Sequence, residues 1–318
     1  MIALAGIDAQ TVMITHAFQL KPAQENAQFF FHKRNEYKAI KKEGEWQSNY
    51  SPSQYGFLKQ DYEQDISRLY KEINDFNPNI IITMGGLGLW ALTSIDKVGS
   101  YRGALTYSNK TKLNRPYKIM PTYSPFAVLK NYSFRPTVVS DLKKAMQEST
   151  TADIVNTERE IYIEPTYEEV KTFFKECREE NNEDNPLSFD IETASGEITC
   201  IGFAPSPKRS MVVPFRDITK KSQTFYDYHT ELAVWKEVAD LLQDKTIVKV
   251  AQNQTYDVSW LNHKYGIEVA GTVHDTMHAQ HSLQPEMEKG LGFLGSIYTN
   301  EGAWKNLTSF SKSTKAEE

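Results

Sequence analysis

The sequence predicts an α/β fold in two domains, and three observations carry that reading. The chain has 318 residues, about twice the usual single-domain size, with a polar seam at Gln147-Glu148-Ser149-Thr150-Thr151-Ala152-Asp153. Before the seam, helix-spaced and strand-like apolar segments alternate, as in a layered fold with a parallel sheet. After it, three closely spaced strand candidates lead into further helix–strand pairs, the pattern of a mixed sheet. The expected domains are 1–152 and 153–318.

In the first half, Thr11-Val12-Met13-Ile14-Thr15 is β-branched and predicts a buried strand. Residues 41–56 are polar and turn-rich, hence a loop. Tyr62, Ile66, Leu69, Ile73 and Phe76 recur at spacings of four and three, one face of a helix that Pro78 ends. Ile80-Ile81-Ile82-Thr83-Met84 is too short for a helix and predicts a buried strand. Gly85-Gly86 turns the chain into a helix over Leu87–Ser94, and Lys118–Pro121 is a strand entering the loop Thr122-Tyr123-Ser124-Pro125.

In the second half, Glu160–Ile163 is a short strand. Thr166 and Glu169 form a capping box, opening a helix with Val170, Phe173, Phe174 and Cys177 on its core face. The acidic, amide-rich run Glu179–Pro186 reads as a surface loop. Strands are expected over Leu187–Thr193, Ile198–Ala204 and Met211–Phe215, with turns at Ser195-Gly196 and Pro205-Ser206-Pro207. Leu232, Trp235, Val238, Leu241 and Leu242 mark a helix, and Thr246–Val250 a strand.

Composition narrows the function classes. With 40% hydrophobic and 24% charged residues the chain can fill two cores, which excludes wholesale disorder. No apolar run is long enough for a membrane span, and Met1–Gly6 has no basic region of the kind that opens a signal peptide. Cys177 and Cys200 make neither a CxxC motif nor a disulfide framework, so a reducing cytoplasm is expected. The net charge of −5 gives no overall attraction for a polyanion, though it leaves room for a local basic groove.

Chemistry concentrates on Leu187-Ser188-Phe189-Asp190-Ile191-Glu192-Thr193. Strand alternation puts Asp190 and Glu192 on one face and Phe189 and Ile191 on the other. Two carboxylates at one spot need a cation or a proton to coexist, and hard ions such as Mg²⁺ suit them. On these two residues alone, a solvated acidic strand explains the pattern as well. A further segment, Lys249–Asp257, runs from strand into helix. Asn253 and Asp257, four apart, can share a helical face near its start, bringing a third carboxylate to the first two, with Tyr256 and Trp260 packing that helix on the sheet.

From about Glu160 to Tyr298 the chain resembles the 3′–5′ proofreading exonuclease domain of family A DNA polymerases. The resemblance rests on Phe189-Asp190-Ile191-Glu192-Thr193, on Asn253 through Asp257, on His274-Asp275-Thr276-Met277 and on the helix Leu291–Tyr298, in that order. It implies an RNase H-like fold and hydrolysis of DNA 3′ ends with two Mg²⁺ or Mn²⁺ ions. Asp190 would bridge the metals, Glu192 would hold the water-activating one and Asp257 would support the second. Asn253, with Thr193 and Tyr256, would hold the substrate strand. The family also uses a later Tyr-x-x-x-Asp motif, and Thr299–Glu318 contains no Asp. The expectation is therefore the front part of a phage-type polymerase, with DNA and a downstream polymerase polypeptide as partners in the host cytoplasm. Two alternatives stand beside it: a non-catalytic DNA-binding module, and a free-standing nuclease in which Glu317 or Glu318 replaces the missing acid.

The first half resembles the uracil-DNA glycosylase-like module of some phage-type polymerases, an α/β/α unit on a parallel sheet. Thr11–Pro22, Ile80–Leu92, Arg102-Gly103 and Pro121–Pro125 carry the likeness. The expected water-positioning loop is missing, and Ser124 stands where the family's histidine would be, so no glycosylase activity is expected. DNA contact through Arg102, Lys110, Lys112 and Arg115 is an open role, as is a plain solvated basic face. Lys208-Arg209 could touch phosphate or water. Gly85-Gly86-Leu87-Gly88 lacks a following Gly-Lys-Ser/Thr and reads as tight strand–helix packing. His274, His278 and His281 could share a helical face, but without HExxH or nearby cysteines they read as ordinary histidines, not zinc ligands.

Overall fold

The computed structural model describes residues 1–22, 26–44 and 47–303, and packing divides them into two units. One is Met1–Asn156 with the described part of Gly292–Glu318; the other is Thr157–Leu291. The packing division thus falls four residues beyond the expected boundary at residue 152 and returns the end of the described chain to the first unit. Among the described residues no helix is long and apolar enough to cross a membrane.

In the first unit, β1 (Phe31–His32) and β2 (Phe57–Leu58) pair antiparallel around α1 (Arg34–Glu43). Helix α2 (Glu63–Phe76) buries Ile66, Leu69, Tyr70 and Ile73, the stripe that the spacing predicted; Phe76, expected on that stripe, is exposed. Asn77, in the left-handed region at φ 48°, closes the helix before Pro78. Then follow β3 (Ile80–Met84), α3 (Gly86–Thr93), α4 (Val98–Tyr101), β4 (Thr106–Tyr107), β5 (Lys118–Thr122), α5 (Pro125–Lys130) and α6 (Phe134–Glu148). Central β5 is buried at every position and lies parallel to β3 and antiparallel to β4, so the three-stranded sheet is mixed where a parallel one was expected. The glycines after β3 serve packing: a Cβ on Gly86 would come within 2.7 Å of the Asp96 carbonyl oxygen.

Residues 11–15 do not form a strand. Ala9–Thr11 is a 3-10 turn, and Val12 and Ile14 are exposed. β-Branching favours extended backbone, but a strand needs a neighbour to pair with. Thr15 instead donates its hydroxyl to Glu72 at 2.6 Å.

The second unit contains β6 (Glu160–Tyr162), α7 (Tyr167–Glu180), β7 (Leu187–Ala194), β8 (Glu197–Ser206), β9 (Arg209–Pro214), α8 (Tyr228–Leu242), β10 (Lys249–Ala251), α9 (Thr255–Tyr265), β11 (Val273–Asp275) and α10 (Thr276–Leu283). The sheet order is β11-β10-β7-β8-β9-β6. Strands β7, β8 and β9 form the antiparallel meander, and β10, β11 and β6 add in parallel. This is the mixed α/β arrangement of an RNase H-like domain. Helix α7 opens on the predicted Thr166–Glu169 capping box and buries Val170, Phe173, Phe174 and Cys177 in one core with Phe189, Ile191 and Phe203.

Three local expectations shift. Strand β8 runs through Pro205 and Ser206, so the turn falls at residues 207–208. In α8 the core face carries Val234, while Leu232 is exposed, because the true stripe is set by Val234, Val238 and Leu241 at spacings of four and three. Strand β10 begins only at Lys249. Its buried ammonium donates to the carbonyls of Asp244, Ile247 and Ala270 at 2.8, 3.0 and 2.8 Å, satisfying a turn where a strand was expected. The last helix, α11 (Leu291–Tyr298), crosses the point where packing divides the chain.

Candidate active site

The site is built on β7. Phe189 and Ile191 are buried while Asp190 and Glu192 are exposed, so the predicted alternation places both acids on the outer face. Opposite Glu192 the ladder is irregular: Glu192 pairs with Cys200 but Thr193 with Ile198, leaving Thr199 as an extra residue on β8. The Thr199 hydroxyl donates to the Glu192 carbonyl at 3.0 Å, fixing this bulge beside the acid. Burial chiefly raises the Cys200 thiol pKa, and the Glu192 and Asp190 charges add to that, so all three groups share a neighbourhood.

Asp257 reaches this strand from α9. The Leu187 N–H points toward β10, donating to the Val248 carbonyl at 2.9 Å. A two-residue period turns the Phe189 and Ile191 N–H groups the same way. Strand β10 ends at Ala251, and the Ile191 N–H is taken by Asp257 Oδ1 at 3.0 Å. Asp257 is buried, and burial raises its pKa above the ordinary aspartate value. The Ile191 bond opposes that rise; Asp275 and Glu192 reinforce it by repulsion. Asp257 is thus tied to the middle of β7, at the residue between Asp190 and Glu192, and feels the Glu192 charge.

Asp275 is the organising residue that the sequence reading quoted only as part of a motif. Buried at the end of β11, its carboxylate accepts from the backbone N–H groups of Asn253 (3.2 Å), Gln254 (2.9 Å), Met277 (2.8 Å) and His278 (3.3 Å). Burial alone would raise its pKa, but these four donors outweigh burial and hold it below the ordinary value. With four donors on two oxygens it acts as scaffold, tying the turn before α9 to the start of α10. An Asp followed by a helix start is a capping signal legible in sequence; its second pair of donors is not.

Asn253 does not share a helical face with Asp257. It sits in the turn before α9 at φ 57°, a left-handed conformation that asparagine tolerates. Tyr256 does not pack the helix on the sheet either: its ring is exposed, and its hydroxyl meets the Thr193 hydroxyl at 2.7 Å. That pair links α9 to the end of β7, next to Glu192.

The basic residues suggested for DNA contact are mostly engaged. Arg102 is interior and ion-paired with Asp141, Lys110 bonds Ser94, and Arg115 donates to Asn77 and to the Pro78 carbonyl. Arg209 pairs with Glu176 and Glu180, both at 3.0 Å. Ser124 caps α5, accepting from the Ala127 N–H at 3.2 Å. His274 lies on β11 and His278 and His281 on α10, so they do not share one helix.

Residues 165–315 match the family model of the 3′–5′ exonuclease domain. That match contains Asp190, Glu192, Asp257 and Asp275 and covers somewhat less than half of the chain. No curated protein matches the sequence. Solved structures of the EXD2 exonuclease domain are similar at a low level: one soaked in Mn and GMP is 18% identical at a TM-score of 0.30, covering 43% of this chain and 68% of that one. Another, soaked in Mg and dGMP, is 20% identical at 0.30, covering 45% and 71%. Likeness of that order is too slight to bear on this chain.

Asp190, Glu192 and Asp257 suit a hard divalent cation in donor type, since all are carboxylates and two are exposed. They do not form a closed cage: among the described residues no three His, Cys, Asp or Glu side chains stand close enough to enclose a metal ion. The segment in which a further acid was sought, including Glu317 and Glu318, lies mostly outside the described residues.

Proposed function

We propose that the chain removes nucleotides from DNA 3′ ends in a divalent-metal-dependent reaction centred on Asp190, Glu192 and Asp257. The single observation that carries this reading is the bond from the Ile191 N–H to Asp257, which ties Asp257 to the residue between Asp190 and Glu192 within the exonuclease-matched segment. Asp190 and Glu192 would hold Mg²⁺ or Mn²⁺, two ions in the full reading, with Asp257 supporting them. Such ions supply Lewis acidity and lower the pKa of water. The residues themselves do the positioning. Asp275 fixes the turn that aims α9, and the Thr193–Tyr256 pair sets an exposed aromatic ring beside the acids, suited to stacking an unpaired base.

The wider setting in this reading is DNA replication in a phage-infected cytoplasm, with a downstream polymerase polypeptide supplying polymerisation and a further acid. The first unit would be a glycosylase-like module without glycosylase activity, since Ser124 offers a hydroxyl engaged in capping rather than an imidazole.

The test is digestion of single-stranded DNA labelled at its 5′ end, with Mg²⁺ or Mn²⁺, alone and with a candidate polymerase partner. A ladder shortening stepwise from the 3′ end, abolished by D190N and by chelation, supports the reading. Activity that survives D190N, or DNA binding with no cleavage under any of these conditions, defeats it; the latter result would favour a non-catalytic DNA-binding module.

A further inference from the structure

Residues 97–140 contain eight Lys and Arg and no Asp or Glu, in a chain whose net charge is −5. Four of these cations are engaged within the first unit. Arg102 and Lys118 are buried and ion-paired with Asp141 and Glu148, and Lys110 and Arg115 bond Ser94 and Asn77. Lys130 and Arg135 are held differently. The Lys130 ammonium lies over the Phe126 ring, 4.4 Å from its centroid, and the Arg135 guanidinium lies over the Tyr132 ring at 5.5 Å. Among the described residues neither cation has a carboxylate partner. A cation resting on a ring keeps its charge, whereas an ion pair cancels it.

The rings beneath these cations face outward: Phe126 is 46% exposed, Tyr132 68%, and Leu129 between them 83%. The segment is nevertheless fixed on its other side. Helix α5 opens on the Ser124 cap and buries Val128, while Phe134 stacks on Tyr123 with centroids 4.2 Å apart. Between α5 and α6, Asn131 Oδ1 accepts from the Ser133 N–H and hydroxyl at 3.2 and 2.8 Å. Helical spacing puts Phe126, Leu129 and Lys130 together on the outer side of α5.

A partner for this face must offer flat apolar surface to the rings and negative charge to the cations. Unpaired bases supply the first and phosphates the second. We propose that Phe126, Leu129, Lys130, Tyr132 and Arg135 form a binding face for single-stranded DNA on the first unit. A duplex would meet the charges but keep its base faces from the rings. An anionic lipid surface would meet them too, but α5 is only six residues long, a short element to lie in a headgroup layer. The choice of DNA over RNA rests on the nuclease reading above; the face itself uses none of the acids of the second unit.

The test is fluorescence anisotropy of the full chain with a labelled thymidine strand in the presence of chelator, where metal-dependent cleavage is off and binding is read by itself. Wild type should bind with an affinity that falls as salt rises. Y132A should weaken binding roughly tenfold, and F126A in the same direction. The pair K130Q and R135Q should weaken it at low salt and flatten the log–log salt slope by roughly 1.4, about 0.7 for each lost phosphate contact. Y132F and K130R keep the ring and the charge and should bind like wild type. Photocrosslinking of a bromouracil-substituted strand should place its adduct within residues 126–135. Affinity unchanged in Y132A and in the paired variant, adducts confined to the neighbourhood of Tyr256, or capture of anionic phospholipid vesicles without DNA binding overturns the proposal. A uridine strand bound tenfold tighter than thymidine overturns the choice of DNA. A wild type that binds through this face yet digests nothing with Mg²⁺ or Mn²⁺ defeats the nuclease reading alone and leaves the face standing.

Discussion

Asp257 accepts a hydrogen bond from the backbone of Ile191, the residue that separates Asp190 from Glu192. A carboxylate from a helix is thereby locked to the strand that carries two others. The same bond satisfies an N–H that the early end of β10 would otherwise leave unpaired.

The bond separates two roles at one position. D257N keeps an oxygen acceptor for Ile191 and should fold like wild type while losing nuclease activity. D257A strands a buried donor and should cost about 1–3 kcal/mol of stability besides. Urea denaturation of the two variants, read beside the digestion assay, checks this; equal stabilities would mean that the bond contributes nothing.

Asp190 and Glu192 are exposed acids on one face of β7. D190N and E192Q should therefore leave stability within about 0.5 kcal/mol of wild type. Both should reduce metal-dependent digestion by orders of magnitude. Thermal melts without added metal, beside initial rates with Mg²⁺, separate the two effects.

Tyr256 offers an exposed ring whose hydroxyl bonds Thr193. If that ring stacks a base, Y256A should weaken single-stranded DNA binding by about 1–3 kcal/mol, whereas Y256F should weaken it much less. Fluorescence anisotropy with Ca²⁺ in place of Mg²⁺ measures binding without turnover. Equal losses in both variants would assign the effect to the hydroxyl.

Asp275 is held below the ordinary aspartate value of 3.8 by four backbone donors that outweigh its burial. A carboxylate depressed in the folded state contributes stability above its unfolded value, and that contribution disappears as pH falls through the folded value. Wild type should lose stability below about pH 4 more steeply than D275N, which has no charge to lose. Chemical denaturation between about pH 2.5 and 5 on both proteins tests the sign.

Much of this was legible in the sequence where periodicity and capping agree. The Thr166–Glu169 box and the Val170–Cys177 stripe of α7 are local signals that the core simply obeys. The alternation of Asp190 and Glu192 is local in the same way. Asn253 falls outside the helix because four-residue spacing cannot tell a helix from the turn before it; the left-handed turn is bonded to Asp275, 22 residues away. The segment 11–15 has strand propensity and no partner. Arg102 and Lys144 carry charges that composition assigns to the surface, and only the carbonyls, carboxylate and hydroxyl that surround them make burial tolerable.

The most direct test of the central claim is Mn²⁺ binding, followed by electron paramagnetic resonance with single-stranded DNA present. Saturable binding in wild type, weakened alike by D190N, E192Q and D257N, is the result expected if the acids of β7 and α9 act together. Binding that D257N leaves untouched, or no binding at all, would contradict it.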